Sequence, residues 1–168
     1  STFIIEKAPR VINISNVSQT YDGNPKPVTV SIPSVNVNYD VTYNGSTTPP
    51  TNAGTYTVAA TVAADTNYET ATSADFSFTI DKAEQTITLA STDAKTTSTT
   101  TYSLIQNASS GLAIVYTSSN AAVATVSGNT VTIVGIGSTT ITANQVGDTN
   151  YNAAPQITQE LIVTQGVS

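Results

Sequence analysis

Two copies of one stretch constrain this chain more than any other feature of its sequence. Residues 54–68 (GTYTVAATVAADTNY) align without gaps with residues 137–151 (GSTTITANQVGDTNY) at a constant offset of 83 residues. Each copy begins at glycine, alternates apolar with polar residues as a half-buried strand does, and ends in Asp-Thr-Asn-Tyr. The chain is therefore predicted to be an all-β tandem of two related units.

A second repeat links the beginning of the chain to its middle. Residues 3–8 (FIIEKA) match residues 78–83 (FTIDKA) at an offset of 75 residues. We therefore interpret residues 1–8 as the terminal strand of a preceding repeat, and expect the chain to be a piece of a longer array. The apolar segment Phe3-Ile4-Ile5 is expected to pair with an exposed sheet edge, either on a neighbouring molecule or on the first unit.

Composition excludes several function classes. The net charge is −6 and the five basic residues are scattered, whereas nucleic acid and anionic membrane surfaces both need a basic patch. Histidine and cysteine are absent, which excludes histidine-containing triads, thiol nucleophiles and histidine-ligated zinc. No apolar run is long enough for membrane insertion, and no cofactor is predicted.

Period-two patterns bounded by turn residues predict the strands of both units. In the first unit they cover residues 10–15, 28–32, 37–43, the repeated stretch from residue 54, and 74–81. In the second unit they cover residues 85–89, 111–120, 123–126, 131–137 and the second copy of the repeat. The threonine-rich residues 95–101 (KTTSTTT) are either a β-prone edge or a flexible loop.

Six separated motifs of the first unit carry a family resemblance. In order they are Lys7-Ala8, Tyr21–Lys26 (YDGNPK), Val41–Ser46 (VTYNGS), Pro50–Val58 (PTNAGTYTV), Asn67-Tyr68 and Phe78–Ala83 (FTIDKA). With these motifs the chain resembles, over nearly all of residues 8–83, the MBG-type repeats of large bacterial surface proteins. The resemblance implies an immunoglobulin-like β-sandwich over residues 9–82.

The second unit lacks the Tyr-Asp-Gly turn and follows a different pattern. Its motifs are Gly111–Asn120 (GLAIVYTSSN), Val123–Val126 (VATV), Val131–Gly137 (VTIVGIG) and Thr140–Ala143 (TITA). Over residues 109–164 it resembles the group 2 bacterial Ig-like domains of intimin and invasin type adhesins. The resemblance implies a second immunoglobulin-like sandwich over residues 83–168.

Together the two resemblances imply tandem sandwiches arranged end to end, in an extracellular or bacterial cell-surface location. The implied function is a non-catalytic structural or spacer module of an adhesin-like multidomain protein, with neighbouring Ig-like repeats as its partners. The alternative is a carbohydrate- or protein-binding module that takes a surface glycan or protein ligand. Its aromatic faces would come from Tyr39, Tyr43, Tyr102 and Tyr116, but tryptophan is absent and core packing is the commoner role of tyrosine.

Two sets of carboxylates are candidate chemical groups. Asp22 and Asp40 each follow a tyrosine, as in a sugar-cleaving pair, but we expect Asp22 to build a turn and Asp40 to face solvent from its strand. Residues 65–68 and 148–151 place Asp and Asn at alternate positions, as calcium loops do, but lack the later glycine and the bidentate glutamate. We expect Asx-type turns there, with Tyr68 and Tyr151 closing the end of each sandwich, and therefore no catalytic and no metal residues.

The junction between the units predicts an extended pair. Residues 78–87 contain no glycine, proline or serine, and about three residues join the strands, which leaves little freedom. A sandwich of this size is about 35 to 40 Å long, so the maximum dimension should approach roughly 70 to 80 Å. Small-angle scattering measures it directly. A value near roughly 50 Å, as for side-by-side units of this length, would contradict the end-to-end arrangement.

Overall fold

The computed structural model describes residues 3–33 and 37–166. Fourteen strands form in these residues and no helix does, so the predicted all-β fold is confirmed. The described residues accordingly include no helix that could cross a membrane. The chain divides into two compact units, Ser1–Ala83 and Glu84–Ser168.

The first unit contains seven strands in two sheets. They are β1 (Asn13–Ser15), β2 (Ser18–Thr20), β3 (Thr29–Ser31), β4 (Asp40–Tyr43), β5 (Gly54–Val62), β6 (Ala71–Thr72) and β7 (Phe76–Asp81). The larger sheet has the order β2-β7-β5-β4, with β6 pairing the end of β5, and β1 pairs β3 in the smaller sheet. Only β2 and β7 pair in parallel; the other pairs are antiparallel.

The core of the first unit follows from alternation along β5 and β7. Val58, Phe78 and Ile80 are fully buried or nearly so, because every second residue of these two strands faces the same side. Tyr43 at the end of β4 joins them, with its ring edge-on to Phe78 at 6.0 Å between centroids. Ile14 of β1 packs against this cluster from the smaller sheet, which makes the unit a two-layer sandwich.

The second unit also contains seven strands in two sheets. They are β8 (Thr92–Thr96), β9 (Thr101–Ser103), β10 (Val115–Ser118), β11 (Ala124–Ser127), β12 (Thr130–Ile133), β13 (Gly137–Asn144) and β14 (Ile157–Thr164). The sheets have the orders β10-β13-β14-β8 and β11-β12-β9. Successive strands cross repeatedly from one sheet to the other, which is the arrangement of an immunoglobulin-like sandwich.

The repeated stretch is the inner strand of the larger sheet in both units. Strand β5 lies between β4 and β7, and β13 lies between β10 and β14. Pairing register is the same as well, because Gly54 lies opposite Ile80 and Gly137 lies opposite Val163. The offset of 83 residues in the sequence therefore marks one structural hairpin that occurs twice.

The predicted strand pairing of Phe3-Ile4-Ile5 is wrong within this chain. These residues form no strand, and their exposed fractions are 87%, 74% and 83%. Ala8 is the first residue that pairs: its N–H donates to the Asn67 carbonyl at 2.9 Å, and its carbonyl accepts from the Glu69 N–H at 3.1 Å. The segment reaches the first unit beside a turn rather than a sheet edge, so it meets no ladder to extend.

Two predictions in the second unit need correction or refinement. Residues 85–89 alternate in burial but form no ladder. Thr86 bonds to Ser109 instead: the Thr86 carbonyl accepts from the Ser109 N–H, and the Thr86 N–H donates to Ser109 Oγ, both at 2.9 Å. The threonine-rich run, for which the sequence allows either an edge strand or a loop, lies partly in strand and partly in a turn. It begins in edge strand β8, turns at residues 97–98 and enters β9 of the opposite sheet.

A substitution on β14 tests the assigned core. Leu161 is 0% exposed, whereas its neighbour Ile162 on the outer face is 37% exposed. Leu161→Ala should lower the free energy of unfolding of the second unit by about 2 to 5 kcal/mol, from lost burial and the cavity left behind. Ile162→Ala, the matched control, should cost less than about 1 kcal/mol. Denaturant titration followed by circular dichroism measures both, and equal effects would contradict the assigned facing of β14.

Candidate functional site

The two Asp-Thr-Asn-Tyr segments form the same Asx-type turn, as predicted. In the first unit Asp65 Oδ1 accepts from the backbone N–H of Asn67 at 2.8 Å and of Tyr68 at 2.9 Å. In the second unit Asp148 Oδ1 accepts from the N–H groups of Asn150 and Tyr151, both at 2.8 Å. Each turn is closed by a backbone bond of 3.1 Å from the aspartate N–H to the tyrosine carbonyl.

A buried arginine completes the turn of the first unit. The Arg10 side chain is only 2% exposed, forms an ion pair with Asp65 Oδ2, and lies over the Tyr68 ring at 4.6 Å from its centroid. The N–H of Asn67, the N–H of Tyr68 and the Arg10 guanidinium all lower the pKa of Asp65. Both oxygens of this carboxylate thus already accept from donors, and a cation lies beside it.

In the second unit a neutral side chain lies at the equivalent sequence position and bonds to residues on either side of the turn. Gln85 follows Ala83 by two residues, as Arg10 follows Ala8, and it is only 2% exposed. Its amide donates to Gln145 Oε1 at 2.8 Å and to the Asn152 carbonyl at 2.7 Å. Sequence reasoning missed both residues. The available signal was the offset of 75, which continues by two residues past the match and aligns Arg10 with Gln85.

Neither turn gathers the ligands of a calcium site. Calcium takes six to eight oxygen ligands, and acidic residues supply most of the charge. Within residues 3–33 and 37–166, no group of three or more Asp, Glu, His or Cys side chains could hold a metal ion. The carboxylates of Asp65 and Asp148 serve instead as caps for backbone N–H groups of their own turns.

The two aspartates considered for sugar cleavage have separate structural surroundings. Asp22 accepts from the Asn24 N–H at 2.9 Å and pairs with Lys26 at 2.6 Å. The hydrogen bond from Lys26 lowers the pKa of Asp22, whereas a general acid needs a raised pKa. Asp40 is exposed at the start of β4, opposite Thr61. No hydrogen bond or ion pair among the described residues connects the two carboxylates.

The tyrosines do not form an aromatic platform. All eight lie in the described part of the chain, and Tyr39 is the exposed one, with 46% of its surface accessible to solvent. Tyr43 and Tyr116 are buried, and their hydroxyls bond to backbone: Tyr43 accepts from the Val28 N–H at 3.0 Å, and Tyr116 donates to the Ile105 carbonyl at 3.1 Å. Three of the four tyrosines proposed for a binding face therefore serve the interior or lie half-buried.

Tyr102 belongs to a small charged cluster in the second unit. Burial raises its pKa to about 12, and the negative charge of Asp93 adds to the shift. Lys95 pairs with Asp93 at 2.7 Å and lies 4.7 Å from the centre of the Tyr102 ring. The Asp93 carboxylate and the Lys95 ammonium neutralise each other, so the cluster offers no unpaired charge to a ligand.

One open groove lies beside the first turn. It has a volume of about 410 Å³ and is lined by Ile5–Ala8 on one side and Thr66–Tyr68 on the other. Its lining combines hydroxyl and amide groups with part of one aromatic ring, which is the kind of surface that polar ligands contact.

The ion pair in the first turn predicts a selective loss of stability. Asp65→Asn keeps an oxygen that can accept from the turn N–H groups, but leaves the buried Arg10 guanidinium without its carboxylate. We expect a lower Tm for the first unit than in the control Asp40→Asn, which removes a carboxylate from the exposed start of β4. Thermal unfolding followed by circular dichroism compares them. Equal Tm values would show that Arg10 does not depend on the charge of Asp65.

Comparison with protein families gives a match for the first unit only. Residues 11–84, fewer than half of the chain, match the family model described as MBG domain. No curated protein sequence gives a significant match. Among solved structures, the chain is similar to a SusE-like surface-located polysaccharide-binding protein from the heparin utilisation locus of Bacteroides thetaiotaomicron. That alignment has 14% sequence identity and a TM-score of 0.33, and covers 92% of this chain and 34% of that protein. The chain thus spans about a third of that protein's length.

Proposed function

We propose that this chain is a non-catalytic spacer module of a bacterial cell-surface or secreted multidomain protein. In this proposal the sandwiches of residues 9–82 and 83–168 hold another domain at a distance from the envelope. Neighbouring Ig-like repeats of a longer chain are their covalent partners.

One observation carries the proposal: the groups that could do chemistry or bind ligands are committed to the fold. The turn aspartates cap backbone N–H groups, Asp22 pairs with Lys26, and Tyr43 and Tyr116 lie in the cores. A spacer needs repeated folded units and no dedicated ligand or catalytic group. The match of residues 11–84 to the MBG domain gives further support, since the motifs of the first unit resemble repeats of bacterial surface proteins.

A display experiment tests the spacer. The chain would be placed between a membrane anchor and a fluorescent tag on a bacterial surface, as one copy and as two copies in series. The tag height should rise by a fixed step for each copy, of about 70 to 80 Å for two collinear sandwiches. A glycine- and serine-rich linker of equal residue number is the control, and should give a smaller, less defined step. A tag height that does not change with copy number would contradict the proposal.

A carbohydrate- or protein-binding module is the second candidate, and two observations favour it. Tyr39 is 46% exposed, and the groove beside Tyr68 is lined by hydroxyl and amide groups. A glycan array probed with the whole chain separates the candidates. Binding that is lost in Tyr39→Ala, or in Asn67→Ala of the groove, would favour the binding module. Absence of binding to every glycan on the array leaves the spacer as the better account.

A further inference from the structure

The first and last strands of each larger sheet pair in parallel. In the first unit β2 pairs β7 over three residues, from Ser18 opposite Thr79 to Thr20 opposite Asp81. In the second unit β8 pairs β14 over five residues, from Thr92 opposite Glu160 to Thr96 opposite Thr164. These are the two parallel pairings among the named strands, and both join the beginning of a unit to its end.

Parallel pairing fixes how tension acts on a unit. The chain enters the early strand at its amino end and leaves the late strand at its carboxyl end, so the two points lie at opposite ends of the pair. A pull on the chain therefore slides the strands past each other along their axes. The hydrogen bonds between parallel strands are evenly spaced along the pair, so they share this load instead of breaking one at a time.

Backbone bonds extend each pairing at its ends. In the second unit the Glu160 N–H donates to the Ser91 carbonyl at 2.9 Å, and the Thr97 N–H donates to the Thr164 carbonyl at 3.0 Å. In the first unit the Thr79 N–H donates to the Val17 carbonyl and the Tyr21 N–H donates to the Asp81 carbonyl, both at 2.9 Å. Both pairings thus have a backbone bond at each end, and the two units differ in the number of paired residues, three against five.

We propose that these pairings are mechanical clamps of unequal strength, and that the chain extends under tension in a fixed order. The first unit, with three paired residues, opens at a lower force than the second unit, with five. The chain is then a tether that lengthens in two steps. This proposal goes beyond the spacer function and does not depend on it. The unfolding forces of the clamps are measured on the isolated chain, whereas the spacer function is tested by small-angle scattering and by surface display.

Pulling one folded protein in two directions tests the clamp. The sequence contains no cysteine, so engineered cysteines give unique attachment points for single-molecule force spectroscopy. Ser91→Cys with Gln165→Cys places the handles at opposite ends of the β8–β14 pair, and Ser91→Cys with Gln156→Cys places them at the same end. The three substituted positions, Ser91, Gln156 and Gln165, are exposed, so both variants should fold.

The first pair of handles loads five residue pairs together, and the second loads them one after another. The unfolding force should therefore be at least about twofold higher for the Ser91 and Gln165 handles, since the parallel bonds share the load only in that direction. Circular dichroism of both variants confirms that they are folded before pulling. Equal forces in the two directions would overturn the clamp.

Pulling the whole chain from its ends tests the order. Opening of the first unit releases residues 18–81 and opening of the second releases residues 92–164, which extend to about 230 Å and about 260 Å at roughly 3.6 Å per residue. The two steps are therefore distinguishable by length. The shorter step should come first and at lower force. A longer step that comes first, or a single step that releases both units together, would overturn the proposed order.

Discussion

The structure depends on one hairpin, which occurs twice with the same register. In the first unit Val58 of β5 and Phe78 and Ile80 of β7 form its buried face, and all three are at most 1% exposed. Positions 83 residues later are Ile141, Leu161 and Val163, which are buried to the same degree. Full burial of side chains of this kind contributes about 1.5 to 3 kcal/mol each. Since a slip of one residue would turn every one of them to solvent, the pairing register and the core determine each other.

The two units differ in the parts of the structure that lie outside this hairpin. The second layer of the first unit consists of β1 and β3, whereas that of the second unit consists of β9, β11 and β12. The residue that fastens the start of each unit to its turn has diverged too, from the charged Arg10 to the neutral Gln85. A buried guanidinium needs compensation, which Asp65 and the Tyr68 ring supply, while a buried amide needs only hydrogen-bond partners. The two units thus use different chemistry, and different partners, at this position.

The sequence predicts long strands better than short ones, and local contacts better than contacts between distant residues. Strands β5, β7, β13 and β14 have six to nine residues, so alternation is visible in the sequence. Strands β2 and β6 have three and two residues, too short for any pattern, and both were missed. The parallel partner of β2 lies some sixty residues away, and nothing in its local sequence indicates it. Residues 85–89 show the opposite error, since alternating burial there occurs without a ladder.

The candidate site was predictable only where local chemistry determines the geometry. The Asx-type turns follow from four adjacent residues, because an aspartate side chain can reach the N–H groups two and three positions ahead. The fastening residues Arg10 and Gln85 act over more than fifty residues of sequence, and their role emerges only when the turn has folded against them. Burial of Tyr43 and Tyr116 likewise depends on which side of the strand faces the core.

Strand β8 combines two requirements that work against each other. As an edge strand it exposes unpaired backbone groups to other chains, a hazard that inward-pointing charges reduce. Its inward positions are Asp93 and Lys95, opposite the buried Leu161 and Val163 of β14. Their pairing with each other, and the contact of Lys95 with the Tyr102 ring, satisfies charges that would otherwise be costly beside a core. Charges at these positions bury less apolar surface than valine would, so adhesion of β8 to its sheet rests mainly on its parallel hydrogen bonds. The strand can therefore remain an edge without inviting aggregation, and still join the beginning of the second unit to its end.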